Sequence, residues 1–172
     1  MAFFPMPVTQ VMPAFARDVL GSGAGGTGLL LTGMGVGSTV GSFALASLGD
    51  FRQKNWALIG GGIALGVSLL IFALSPWYWV SWGLLLLAGV AVAIYASVGT
   101  TVLQLTATRE VMGRVMGVWT LGGSLVFVGA LPLAVIADAT NWNVALGGGA
   151  TIFLVVFLLF GLWRPTLRQL DL

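Results

Sequence analysis

Residues 55–108, NWALIGGGIALGVSLLIFALSPWYWVSWGLLLLAGVAVAIYASVGTTVLQLTAT, contain no charged side chain. A helix needs about 20 apolar residues to cross the hydrocarbon core of a bilayer, so this stretch is long enough for two crossings. Its centre, Ser75-Pro76-Trp77-Tyr78-Trp79, combines a proline that disfavours helix continuation with aromatic rings that suit the membrane–water interface. We therefore predict two membrane helices, over 56–75 and 79–104.

The composition of the whole chain also indicates a membrane protein. Of its 172 residues, 58% are hydrophobic and 7% are charged, whereas soluble domains carry about a quarter charged residues. The absence of Cys and His excludes disulfides, His-based triads and zinc sites with thiolate or imidazole ligands. No cluster of Lys and Arg is present to neutralise a row of phosphates, which excludes nucleic acid. We predict the lipid bilayer as the surroundings, and neither a metal nor a cofactor.

The charged residues lie in short groups that separate the remaining uncharged runs. Residues 21–26, with the sequence GSGAGG, are typical of a loop. Further full crossings are predicted over 26–48, 114–137 and 143–163. The apolar residues 1–16 are too few for a crossing and contain three prolines, so they resemble the second part of a helix. The prediction is an all-α integral membrane protein, one half-domain over 1–172 whose first helix is incomplete.

The distribution of basic residues predicts which side of the membrane each loop occupies. Residues 50–54, residues 109–114 and the tail 164–172 lie on one side and hold six of the seven Lys and Arg residues. The opposite side holds Arg17 alone, directly beside Asp18. Short loops rich in Lys and Arg stay in the cytoplasm. The C-terminus is therefore predicted to be cytoplasmic, and the Arg17-Asp18 pair to lie outside.

Three glycines in the first complete span share one helix face. Gly33, Gly37 and Gly41 are spaced four residues apart, and such a stripe lets two helix backbones approach closely in lipid. Ordinary helix packing and an interface that moves are both compatible with this pattern.

The span 79–104 carries a polar stripe near its second end. Ser97, Thr100, Thr101 and Gln104 follow three- and four-residue spacing, whereas Tyr95 lies on another face. This stripe fits helix packing, with hydroxyls bonded to their own helix, as well as a substrate path. No Asp, Glu, Lys or Arg lies near the midplane of any predicted span, so the spans offer no proton carrier of their own. They also contain no nucleophile–base pair, and an enzyme is therefore not predicted.

Three segments together resemble the C-terminal half of a major facilitator superfamily transporter, helices 7 to 12, over essentially the whole chain. They are Pro13-Ala14-Phe15-Ala16-Arg17-Asp18-Val19-Leu20-Gly21, Leu48-Gly49-Asp50-Phe51-Arg52-Gln53-Lys54 and Thr108-Arg109-Glu110-Val111-Met112-Gly113-Arg114. The subgroup they resemble is that of bacterial efflux permeases similar to the enterobactin exporter. Two positions depart from the family pattern, because Phe51 follows Asp50 and Met112 replaces the first arginine of an Arg-Gly-Arg motif.

The resemblance implies roles for individual residues. A cytoplasmic latch to the other half of the transporter would include Asp50, Arg52, Lys54, Arg109 and Arg114. From the residues alone, the Asp50 loop fits a solvated turn as well as such a latch. Helices 7 and 10 would line the central cavity, helices 8 and 11 would pack between the halves, and helices 9 and 12 would be peripheral. The implied cavity-lining residues are Thr9, Gln10, Tyr95, Ser97, Thr100, Thr101 and Gln104.

Two functions follow as hypotheses. The first is alternating-access efflux of small amphipathic molecules across the bacterial inner membrane, with this chain as one half and a missing N-terminal six-helix half as its partner. The second is a non-transporting accessory or degenerate subunit that associates through the face of Gly33, Gly37 and Gly41.

Overall fold

A computed structural model describes residues 7–47, 54–108, 110–124 and 126–163 of the chain. Within these ranges all regular structure is helical, which confirms the predicted all-α fold. The helices are α1 (Pro7–Asp18), α2 (Ala24–Ser47), α3 (Lys54–Leu74), α4 (Tyr78–Thr106), α5 (Met112–Ser124), α6 (Val126–Ala139) and α7 (Trp142–Trp163).

The helix boundaries follow local backbone chemistry. The break after α3 falls on residues 75–77, where Pro76 interrupts the long uncharged run. Between α1 and α2, Gly21 has a φ of 60°, and the chain turns there so that the Ser22 amide donates to the Ala16 carbonyl over 2.9 Å. The predicted loop 21–26 is too long, because α2 already begins at Ala24 and the Thr27 amide donates to the Gly23 carbonyl.

Three of the described helices are long and apolar enough to cross a bilayer, over Ala24–Ser47, Tyr78–Gln104 and Trp142–Leu159. They coincide with three of the five predicted crossings. The predicted span 56–75 corresponds to α3, which contains the shorter apolar segment Ile59–Leu74. The predicted span 114–137 covers α5 and α6, and residue 125 between them lies outside the described residues.

Six of the seven described helices, all except α5, form a closed ring by their contacts. Going round, α1 packs against α2, α2 against α4, α4 against α3, α3 against α7, α7 against α6, and α6 against α1. The largest side chains buried inside this ring are Phe15, Phe72, Met12, Leu30, Leu65 and Leu85. The Phe15 and Phe72 rings lie 4.8 Å apart and connect α1 to α3 across the core.

The outer surface of the ring is apolar, as expected for a bundle that has lipid as its solvent. Phe43 on α2 is 73% exposed, and Val118, Leu131 and Val135 are similarly open. Soluble monomers rarely present contiguous apolar surface of this kind. The described helices therefore agree with a membrane protein.

Candidate functional site

The tightest helix contact in the described chain joins α2 to α4. A Cβ atom on Gly41 would lie 2.8 Å from the Val90 carbonyl oxygen, and one on Gly37 would overlap the backbone of Leu86. From the opposite helix, a Cβ on Gly89 would lie 2.9 Å from the Ser38 amide nitrogen. The two backbones thus approach each other where both helices lack side chains, which maximises van der Waals contact in lipid.

Two aromatic side chains on α4 donate hydrogen bonds to backbone carbonyls in the first turns of α2. The Tyr78 hydroxyl donates to the Gly26 carbonyl over 2.7 Å, and the Trp82 indole donates to the Leu29 carbonyl over 3.0 Å. Gly33 makes room for this indole, since a Cβ there would lie 2.9 Å from Trp82 Nε1. Helices α2 and α4 are therefore joined along their length by close packing and by two side-chain hydrogen bonds.

This contact corrects the second functional hypothesis. Gly33, Gly37 and Gly41 are all buried, and the helix they face is α4 of the same chain. Because α4 already occupies this face, the face is not available for association with another chain.

The hydroxyls of the predicted polar stripe on α4 bond largely within their own helix. Thr100 Oγ1 donates to the carbonyls of Ala96 and Ser97, at 2.8 and 2.9 Å, and Thr101 Oγ1 donates to Ser97 at 2.8 Å. These bonds satisfy the hydroxyl protons and leave oxygen lone pairs to accept a further bond. Ser97, Thr100 and Thr101 are half-buried, and Gln104 is exposed.

Tyr95 lies on another face than this stripe, as its spacing predicts, and its role as a cavity-lining residue stays a prediction. The side chain is only 8% exposed, and its ring lies 6.2 Å from that of Phe157 on α7 in an edge-to-face arrangement. The cause is helical geometry, because Tyr95 and Ser97 are two positions apart and project from different faces. On α1, the predicted cavity residue Gln10 is exposed and Thr9 is half-buried.

Most of the predicted latch lies beyond the part of the chain that the structure describes. Asp50, Arg52 and Arg109 are outside the described residues, and of Lys54 only the backbone, at the start of α3, is described. Arg114 is exposed in the first turn of α5.

A polar junction connects the end of α1 to the beginning of α7. Arg17 Nε donates to Asp18 Oδ1 over 3.0 Å, and Trp142 Nε1 donates to Asp18 Oδ2 over 3.0 Å. These two hydrogen bonds hold the pKa of Asp18 below its usual range, and the bond from Arg17 is the larger cause. Because the pKa is depressed, the stabilisation that the ionised carboxylate contributes is present at neutral pH and is lost as the pH falls through the lowered value.

Sequence reasoning missed several residues that the structure brings together. Three of the four residues in the run Ala88-Gly89-Val90-Ala91 are small, and this was the available signal for a second close-approach face on α4. No local signal pairs Asp18 with Trp142, because 124 positions separate them. Ser81 is also unanticipated: it is fully buried, and its hydroxyl has no hydrogen-bond partner among the described residues.

A second set of small residues on α2 faces outward. A Cβ on Gly28 or Gly35 would meet no other atom within 4 Å, and the same is true of Gly113 and Gly117 on α5. The outward hydroxyls between the α2 glycines donate to their own helix, Thr32 to Gly28 at 2.9 Å and Thr39 to Gly35 at 3.0 Å. On α7 the exposed residues include Gly148 and Thr151 as well as the aliphatic Ile152, Val155 and Leu159.

A family model described as Major Facilitator Superfamily matches residues 2–170. No curated protein and no solved structure shows significant similarity to the chain.

Proposed function

Because this chain belongs to the major facilitator superfamily, whose members are transporters and not enzymes, we propose that it is one half of a secondary transporter. The transporter works by alternating access and exports small amphipathic molecules across a bacterial inner membrane. Transporters of this kind bind substrate near the midplane between two six-helix halves that rock about the site. The chain supplies one wall of that site, and a second six-helix half supplies the other.

The observation that carries this proposal is the family match over residues 2–170. Outward-facing glycines support it, because small residues let membrane helices approach each other closely. A Cβ added at Gly28 or Gly35 on α2, or at Gly113 or Gly117 on α5, would meet no other atom within 4 Å, as is also true of Gly60, Gly83 and Gly148. We assign the positions on α2 and α5 to contact with a second half, although the same helices also expose Phe43 and Val118.

The proposed orientation puts the C-terminus in the cytoplasm. Six of the seven basic residues then lie on the cytoplasmic side, as the distribution of Lys and Arg in short loops requires. The junction of Asp18 with Trp142 lies at the opposite, outer end. Asp50, Arg52, Lys54, Arg109 and Arg114 form the cytoplasmic latch to the second half.

The proposed wall of the substrate site consists of Gln10 and Thr9 on α1 and of Ser97, Thr100, Thr101 and Gln104 on α4. A hydroxyl that bonds its own helix can still accept a hydrogen bond from substrate. The mixture of such hydroxyls and amides with apolar neighbours suits a molecule that is itself partly polar.

Thr101→Val should weaken transport without weakening the fold. The change keeps the shape of the side chain and removes its oxygen, and one hydrogen bond contributes about 0.5–1.5 kcal/mol. We expect the KM for efflux of a fluorescent amphiphile from proteoliposomes containing both halves to rise by about two- to tenfold. The melting temperature should stay the same.

Thr151→Val on α7 is the matched control, because the Thr151 hydroxyl donates to the Gly147 carbonyl over 2.8 Å in the same manner and is exposed among aliphatic residues. Equal KM values for Thr101→Val and Thr151→Val would show that Thr101 does not line the substrate site. No efflux of any amphiphile by the assembled wild-type halves would contradict the proposed function itself.

A further inference from the structure

The bond between Trp142 and Asp18 connects two helices that are not neighbours in the ring. Helix α1 packs against α2 and α6, and α7 packs against α3 and α6, so α6 lies between them in the order of contacts. At one end of the bundle the Trp142 indole spans this gap and donates to Asp18 Oδ2 over 3.0 Å. The bond therefore adds a direct polar connection between α1 and α7.

The negative charge of Asp18 is unfavourable at the end of α1 and favourable at the start of α7. Asp18 is the last residue of α1, where the carbonyl ends of the helix disfavour a negative charge. The same carboxylate is bonded to the first residue of α7, close to the positive end of that helix. The carboxylate therefore stabilises the contact between α1 and α7 more than it stabilises α1 itself.

Apolar packing holds the inner face of α1. Its buried side chains Val8, Val11, Met12, Phe15 and Ala16 belong to the core, and Val19 and Leu20 just beyond the helix are partly buried against it. Further along, the chain passes through Gly21 and Gly23, and neither position has any atom within 4 Å of a Cβ placed on it. Asp18 adds to the apolar packing a side-chain hydrogen bond to α7 at the outer end.

We propose that Asp18 and Trp142 form an interhelical lock that holds the end of α1 against α7, and that opening the lock lets this end of α1 move away. Arg17 is the positioning residue, because its Nε atom holds the other carboxylate oxygen, Oδ1, at 3.0 Å. The consequence for transport rests on the proposed function, in which α1 lines the cavity and this end faces outward.

The lock is tested by the distance between two spin labels on the assembled protein in lipid nanodiscs. The chain has no native cysteine, so labels can be attached at Pro13→Cys on α1 and Val144→Cys on α7, both of which are exposed positions. We expect one narrow distance distribution without further substitution. Trp142→Phe and Asp18→Ala should each broaden it toward longer distances, to the same extent.

Two further variants sharpen the test. Asp18→Asn keeps an oxygen acceptor without the charge and should give an intermediate width, because charged acceptors form stronger hydrogen bonds. The double variant Asp18→Ala/Trp142→Phe should be no broader than either single variant, since both remove the same bond. Trp77→Phe is the control, as Trp77 lies at the same end and is 72% exposed.

The lock is overturned if Trp142→Phe gives the same distribution as Trp77→Phe, or if the two single effects add in the double variant. If Asp18→Ala does not yield folded protein, Asp18→Asn is compared with Trp142→Phe instead. The distance distribution of Asp18→Asn should be the narrower of the two. The distances do not depend on transport. Absence of efflux from the assembled protein would therefore contradict the proposed function alone, and unchanged distances would contradict the lock alone.

Discussion

Gly37→Ala should lower the melting temperature of the protein in detergent, although it adds a single methyl group. The new Cβ would overlap the Leu86 backbone, with the Leu86 carbonyl carbon at 2.8 Å and Cα at 3.0 Å. Backbone atoms of a packed helix cannot turn aside as a flexible side chain can, so α2 and α4 must separate. Overpacking of this kind costs about 1–3 kcal/mol. For a chain of this length, each kcal/mol corresponds to about 2–4 °C.

Gly35→Ala is the matched control for this prediction. Gly35 lies two residues away in the same helix, and a Cβ there would meet nothing within 4 Å. Because alanine favours a helix over glycine by about 1 kcal/mol, Gly35→Ala should melt at the same temperature or slightly higher. Equal losses in both variants would mean that the α2–α4 contact does not depend on the stripe of Gly33, Gly37 and Gly41.

Asp50→Asn should lower transport by up to about tenfold while the amount of protein in the membrane stays the same. Asp50 lies outside the described residues, four positions before α3 begins at Lys54. A carboxylate near a helix start contributes about 0.3–1 kcal/mol and up to ~2 kcal/mol in favourable geometry. Asparagine keeps the size of the side chain and its ability to accept hydrogen bonds, so we expect folding to be preserved while the charge of the proposed latch is lost. The measurement is initial efflux rate per assembled transporter.

The same substitution at Asp138 is the control, since Asp138 is exposed near the end of α6 and the proposed orientation puts it on the outer side. Efflux by Asp138→Asn should match wild type. If Asp50→Asn also transports at the wild-type rate, the latch is not part of the mechanism, and the Asp50 loop is a solvated turn.

Features that depend on periodicity and on charge could be predicted from the sequence. Pro76 marks the break between α3 and α4 because proline restricts the preceding residue whatever the tertiary structure is. The stripe of Gly33, Gly37 and Gly41 shares a face because a helix repeats every 3.6 residues. Neither rule says which helix covers that face, and the structure assigns it to α4 of the same chain.

Features that depend on distant pairs could not be predicted. Asp18 and Trp142 meet only because α1 and α7 lie near each other at one end of the ring. No sequence pattern around a charged or aromatic residue at a helix end predicts which distant residue it will contact. The burial of Tyr95 could not be predicted either, because it depends on the packing of its ring against Phe157 on α7.

The most direct test of the account is efflux of a fluorescent amphiphile from proteoliposomes that contain this chain with and without a complementary N-terminal six-helix half from a superfamily transporter. Efflux should require both halves and should fall to the background of empty liposomes when either is omitted, because the substrate site lies between them. Efflux by this chain alone, at the rate of the assembled pair, would contradict the claim that it is one half of a transporter.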